Sequence, residues 1–128
     1  MRKIKKVNQM ADLAVYSFMK IIADLTKAHQ LKKYAHHEGL KERIKNFTGV
    51  KMGFGLHVGW AIEGAIGSKF KIDASYLSPN VNMASRLEAA TKQFGVLTLF
   101  SGPIVDLMTP PNKKYLRRID RVTVKGSI

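Results

Sequence analysis

The sequence predicts a mixed α+β domain on three observations: a helical repeat of apolar residues near its start, a period-two repeat in its middle, and a serine-proline pair that opens a second helix. From Val7 to Ala28, residues Met10, Leu13, Ala14, Phe18, Ile21, Ile22 and Leu25 recur at helical spacing, with Asp12, Lys20 and Lys27 elsewhere on the wheel. This is an amphipathic helix that packs on a neighbour. The basic stretch from His29 to Thr48 has only Leu31, Leu40, Ile44 and Phe47 as anchors and holds Gly39, so it reads as a connector with a helical turn or two. Its adjacent His36 and His37 read as exposed loop residues, because Glu38 is the only carboxylate near them and the chain has no cysteine.

Val50 to Trp60 alternates Val50, Met52, Phe54, Leu56 and Val58 with Lys51, Gly53, Gly55, His57 and Gly59, the pattern of a strand with one apolar face. Three glycines on the other face weaken a strand, so a helix, a second subunit or a ligand must come close to it. Ala61 to Ile66 continues the apolar run to Gly67-Ser68, and Phe70 to Leu77 is a second strand. Ser78 then caps a helix with its hydroxyl, Pro79 fits the first helical position, and the helix runs to about Phe94, where Gly95 stops it. Val81, Ala84, Leu87 and Ala90 or Thr91 line one face of it, Asn82, Arg86 and Ala89 another. Val96 to Phe100 follows as a strand, Gly102 to Met108 as a short helix, Thr109 to Asn112 as a turn, and Tyr115 to Val124 as a final strand or hairpin.

A chain of 128 residues fits one domain, taken as residues 1–128, and its balance of apolar and charged residues is globular. Without cysteine there is no thiolate metal site, thiol nucleophile or disulfide. Lys20, Asp24 and Glu63 break the apolar stretches well short of the roughly 20 residues of a membrane span, and Asp12 spoils a secretory signal. The net charge of +13 is spread along the chain and draws polyanions in general, whether nucleotides, nucleic acid or anionic lipid. Asn82 and Arg86 stand one helical turn apart, so an amide and a planar guanidinium point the same way and suit anionic oxygen. An exposed helix face often carries such a pair by chance.

The surrounding text is more specific. Gly53-Phe54-Gly55-Leu56-His57-Val58-Gly59, Gly64-Ala65-Ile66-Gly67-Ser68, Val81-Asn82-Met83-Ala84-Ser85-Arg86-Leu87-Glu88 and Val122-Thr123-Val124-Lys125-Gly126 come in the order of the blocks of the class III adenylate/guanylate cyclase catalytic domain. The chain resembles that family over most of residues 7–126.

The resemblance implies a ferredoxin-like nucleotide cyclase fold and the conversion of a nucleoside triphosphate to a 3',5'-cyclic nucleotide and pyrophosphate. By the same resemblance Asn82 orients the ribose, Arg86 stabilises the pentavalent phosphorus and Lys125 reaches the phosphates. Ser75, seven residues before Asn82, matches the position that reads the purine, and its likeness to threonine favours ATP over GTP. Asp73, nine before, takes that role only with a slipped register. Ser78-Pro79 replaces the family's usual Gly-Asp.

Family members hold two magnesium or manganese ions on two aspartates, which lie on strands preceding the helix that opens this chain. Asp12 and Asp24 do not follow those strand motifs, so no metal ligand is assigned here. The expectation is the C-terminal part of a cyclase domain, truncated at its N-terminus with the first strands of the sheet absent and inactive alone. Its site would form in a homodimer or heterodimer with another cyclase domain that brings the metals, and a truncated sheet would leave an edge and an apolar face uncovered. The implied location is cytoplasmic, including the cytoplasmic side of a membrane-bound parent. One alternative is a non-catalytic, cyclase-like regulatory or dimerisation half. The other is a basic RNA-binding module, disfavoured because Leu56, His57 and Gly59 stand where base-stacking aromatics are needed.

Overall fold

The computed structural model describes residues 2–123, which form a mixed helical and sheet architecture in two compact units. One unit joins the residues up to Asp12 to those from Gly53 onward, and the other holds Leu13–Met52. Helix α1 (Arg2–Lys27) contributes to both. Its buried or half-buried stripe is Ala11, Ala14, Val15, Phe18, Ile22 and Leu25, whereas Met10, Leu13 and Ile21 lie exposed at 61%, 62% and 42%. Helical periodicity therefore located α1 but not which of its apolar residues face inward, because apolar side chains occupy most of its circumference. In the second unit, α2 (His29–Tyr34) and α3 (Glu38–Arg43) are the short turns expected of the connector. His36 and His37 are exposed.

In the first unit, β1 (Phe54–Leu56) and β4 (Thr98–Phe100) pair in parallel, with Phe54 opposite Thr98 and Leu56 opposite Phe100. Parallel neighbours need a crossover, and α4 (Pro79–Phe94) supplies it. Ser78 caps α4 as the sequence predicts: its hydroxyl accepts from the backbone of Asn80 at 2.9 Å and Val81 at 3.2 Å. At the far end Gly95 takes the left-handed conformation (φ 63°), which lets Val96 N donate to the Thr91 carbonyl at 3.0 Å.

The glycine face of β1 is where α4 sits. A side chain on Gly55 would strike the Ala84 carbonyl and come within 2.5 Å of Glu88 N, and one on Gly53 would strike the Thr91 hydroxyl. Of the three neighbours the sequence left open, the helix is the one found. Thr91 is the most buried polar residue of the described chain, 2% exposed, and its hydroxyl is satisfied by donating to the Glu88 carbonyl at 2.6 Å. Val81, on the same helical face as Ala84 and Leu87 by spacing, is exposed.

Between β1 and α4, β2 (Ile62–Gly67) and β3 (Ile72–Leu77) form an antiparallel hairpin with Ile62 opposite Leu77 and Gly67 opposite Ile72. Ser68 N donates to the Lys71 carbonyl at 2.8 Å and closes its loop. The hairpin is exposed except at the half-buried Ser75, and Phe70 at its tip is 98% exposed. After β4 come α5 (Gly102–Leu107), with Ile104 buried, and α6 (Pro110–Lys113), whose two prolines turn the expected turn into a single helical turn. The final strand expected at Tyr115–Val124 is not formed by the described residues 115–123. Instead Tyr115 N and Leu116 N continue the helical turn by donating to Asn112 and Lys113, and Tyr115, Ile119 and Val122 are exposed. Val124 lies outside the described residues.

Asp12 ties α1 to the start of α6: its two carboxylate oxygens accept from Thr109 N at 3.1 Å and the Thr109 hydroxyl at 2.7 Å. Burial by itself pushes the Asp12 carboxyl up, but donation from Thr109 and Asn112 outweighs it and holds the carboxyl below the usual carboxylate range.

Two predictions follow from this packing. Gly55→Ala should destabilise the chain by about 2 kcal/mol, because α4 must shift off β1. Gly64→Ala, which meets nothing within 4 Å, should stay within about 0.5 kcal/mol in the same urea titration. For Asp12, a depressed folded pKa means that its contribution is fully present above the unfolded value of about 3.9 and is lost as pH falls through the lower folded value. Asp12→Asn should therefore cost about 1 kcal/mol at neutral pH, and the gap from the unaltered chain should close in acid.

Candidate active site

The site is built on the first half of α4 and the segments that hold it. Each residue advances a helix by about 100°, so Asn80, Ala84, Leu87, Glu88 and Thr91 gather on the side facing β1. Asn82 and Arg86 lie roughly 160° from Ala84 and about 40° from each other. The contacts at Gly53, Gly55 and Gly59 fall on Thr91, Glu88, Ala84, Leu87 and Asn80 and on none of the outward pair. Asn82 is exposed and Arg86 half-buried. Packing thus leaves an amide and a half-buried guanidinium on a side of α4 away from β1.

Ser75 is half-buried on β3 opposite Gly64, on the same hairpin face as Asp73. Asp73 is engaged by Lys71 at 3.2 Å, with both side chains well exposed. Lys125 lies outside the described residues.

A group of residues that sequence reasoning did not assign lies at the N-terminal end of α4. The His57 ring bridges Ser101 Oγ at 2.8 Å through Nδ1 and Asn80 Oδ1 at 3.0 Å through Nε2. Asn80 Nδ2 in turn donates to the Trp60 carbonyl at 2.8 Å. A side chain on Gly59 would overlap the Asn80 amide, its Nδ2 standing 2.5 Å from the added carbon. The available signal was His57 itself, the one side chain with hydrogen-bonding nitrogens on a face otherwise read as glycine from Gly53 to Gly59.

The described residues do not fit a pair of divalent ions. Among the described residues no three histidine, aspartate or glutamate side chains come together. Asp12 is spent on Thr109, and Asp24 is paired with Lys20 at 3.4 Å on the surface of α1. Nor is any described helix long and apolar enough to cross a membrane.

The sequence profile of the adenylate and guanylate cyclase catalytic domain matches residues 1–127. An adenylate cyclase of Anabaena cylindrica is 32% identical over 97 residues, 75% of this chain and 19% of that protein. Adenylate cyclase 1 of Rhizobium meliloti is 34% identical over 64 residues, 50% of this chain and 10% of its own length. The terminal-differentiation-specific adenylate cyclase of Dictyostelium discoideum is 31% identical over 81 residues, 62% of this chain and 4% of its own. The chain spans about a fifth or less of these relatives. With one profile running through the glycine strand, the hairpin and the capped helix that carries Asn82 and Arg86, the chain belongs to the adenylate and guanylate cyclase catalytic domain family.

Proposed function

We propose that this chain supplies the ribose- and phosphate-facing groups of a nucleotide cyclase site that is completed by a second cyclase domain. The observation that carries the reading is the outward face of α4, where Asn82 and Arg86 stand one turn apart on a helix whose other side is clamped to β1. In the reaction the ribose 3'-oxygen forms a bond to the α-phosphorus, the bond to pyrophosphate breaks, and the hydroxyl proton is released. Asn82 holds the ribose so that the 3'-oxygen is in line. Arg86 places a fixed positive fork beside the phosphoryl oxygens as charge gathers there, and it accelerates the reaction to the extent that it fits the transition state better than the bound triphosphate. Lys125 extends the same role to the phosphates.

Magnesium or manganese would be held by carboxylates outside the described residues, which this reading places on the complementary domain. The exposed apolar positions Ile62, Ile72 and Phe70 of the hairpin, on a sheet of two strands with open edges, support docking against further cyclase structure that completes a ferredoxin-like sheet. Residues 1–128 thus act as one partial cyclase domain, placed in the cytoplasm or on the cytoplasmic side of a membrane-bound parent. Ser75 reads the purine and favours ATP over GTP. A second reading, a cyclase-like half that regulates or dimerises without turnover, is favoured by the engagement of Asp12 and Asp24 elsewhere.

One assay separates the two readings. The chain alone should form no cyclic nucleotide from ATP or GTP with manganese, and it should do so once mixed with a metal-competent cyclase domain. In that mixture Arg86→Ala should lower kcat by about 10²–10³-fold. Turnover within twofold of the unaltered mixture would end the phosphate role of Arg86, and no turnover with any partner would leave the regulatory reading. Ser75→Ala should change the ratio of kcat/KM for ATP over GTP by about tenfold or less, since a single hydroxyl both donates and accepts.

A further inference from the structure

The network at the start of α4 has no part in the chemistry just described, yet its geometry is specific. The Trp60 carbonyl only accepts, so the Asn80 amide must turn Nδ2 toward it and present Oδ1 to the imidazole. Oδ1 also only accepts, so His57 Nε2 carries a proton. In the neutral ring Nδ1 is then left to accept from the Ser101 hydroxyl. Ser101 occupies the N-cap position of α5 but makes no side-chain capping bond there. A serine at that position ordinarily caps the helix, so the hydroxyl has been diverted from its usual local partner to the imidazole. Ser101 N meanwhile donates to the Leu56 carbonyl at 3.0 Å, which extends the β1–β4 pairing to this point.

Gly53, Gly55, His57 and Gly59 alternate along one face of the chain and all meet α4 or its neighbour Ser101. Gly53 and Gly55 admit its backbone and Thr91, Gly59 makes room for the Asn80 amide, and His57 fastens that amide to the turn after β4. From this we infer that His57 and Asn80 are positioning residues: they set the axial rotation and height of the first turn of α4, and through it the aim of Asn82, two residues on, and Arg86. The inference rests on the proposed role of that pair. A helix held only by van der Waals contact with glycines is free to slide and turn on a smooth surface, whereas a directional hydrogen-bonded bridge at one end stops both motions. Misplacing an aligned group by about 1 Å costs on the order of 10²-fold in rate, so a small rotation of α4 is enough to matter.

The test uses the chain mixed with a metal-competent cyclase domain. His57→Ala and Asn80→Ala should each lower kcat about tenfold with KM for ATP within twofold, and the double variant should fall no further than either single, because both break one bridge. His57→Gln, whose amide can still donate to Oδ1, should recover to within about threefold of the unaltered chain. Independently of turnover, ¹⁵N NMR of the unaltered chain should show His57 as the Nε2–H tautomer, with a slowly exchanging ring proton that is lost in Asn80→Ala. A Nδ1–H tautomer, multiplicative losses in the double variant, or a lowered Tm with kcat unchanged would each overturn the positioning role. Arg86→Ala in the same mixture keeps the two readings apart. If Arg86→Ala is crippled while His57→Ala is not, the positioning role alone fails, and if Arg86→Ala leaves turnover within twofold of the unaltered mixture, both fail.

Discussion

The structure depends on how closely α4 can approach β1. Two glycines two residues apart leave the strand without side chains on that face, and the backbone of α4 settles where side chains would otherwise stand. Glycine weakens a strand by its freedom and by offering nothing to pack. Here the cost is offset by contact with the helix, by the burial of Thr91 and by the parallel pairing of β1 with β4. Every feature of the candidate site follows from this seat, because it decides which side of α4 is covered and which is open.

That division of the helix explains how eight consecutive residues can serve two ends. Ala84, Leu87 and Glu88 meet the strand, while Asn82 and Arg86, about 160° away, are spared that contact. The same logic governs the N-terminal end, where Ser78 satisfies the orphan amides and Asn80 is drawn to His57 and Trp60. Ser78-Pro79, which departs from the family's usual Gly-Asp, still makes a well-formed start to the helix, with serine as the cap and proline at the first position.

The carboxylates tell a complementary story. Asp12 stands on the opening helix, yet its oxygens are committed to Thr109, and hydrogen bonds from Thr109 and Asn112 outweigh burial and hold its carboxyl below the usual range. Asp24 and Asp73 face lysines on the surface. Among the described residues no three histidine or carboxylate side chains converge, whereas a small divalent ion needs several oxygens directed at one point. The hairpin exposes large apolar side chains, with Phe70 at its tip 98% exposed.

Much of the fold was legible from residues alone, for reasons that are local. The cap at Ser78, the stop at Gly95, the alternation through Phe54 and Leu56 and the demand that something approach the glycines are all set by backbone chemistry within a few residues, and the structure carries each of them. Where burial depends on what lies opposite, sequence patterning went astray: Met10 and Leu13 have the right spacing but remain exposed, and residues 115–123 have strand-forming side chains but no ladder among the described residues. The bridge from Ser101 through His57 to Asn80 was beyond local reading altogether. Its members are 44 and 23 residues apart, and only the crossover that lays α4 over β1 and returns the chain into β4 brings a ring nitrogen, an amide and a hydroxyl within 3.0 Å.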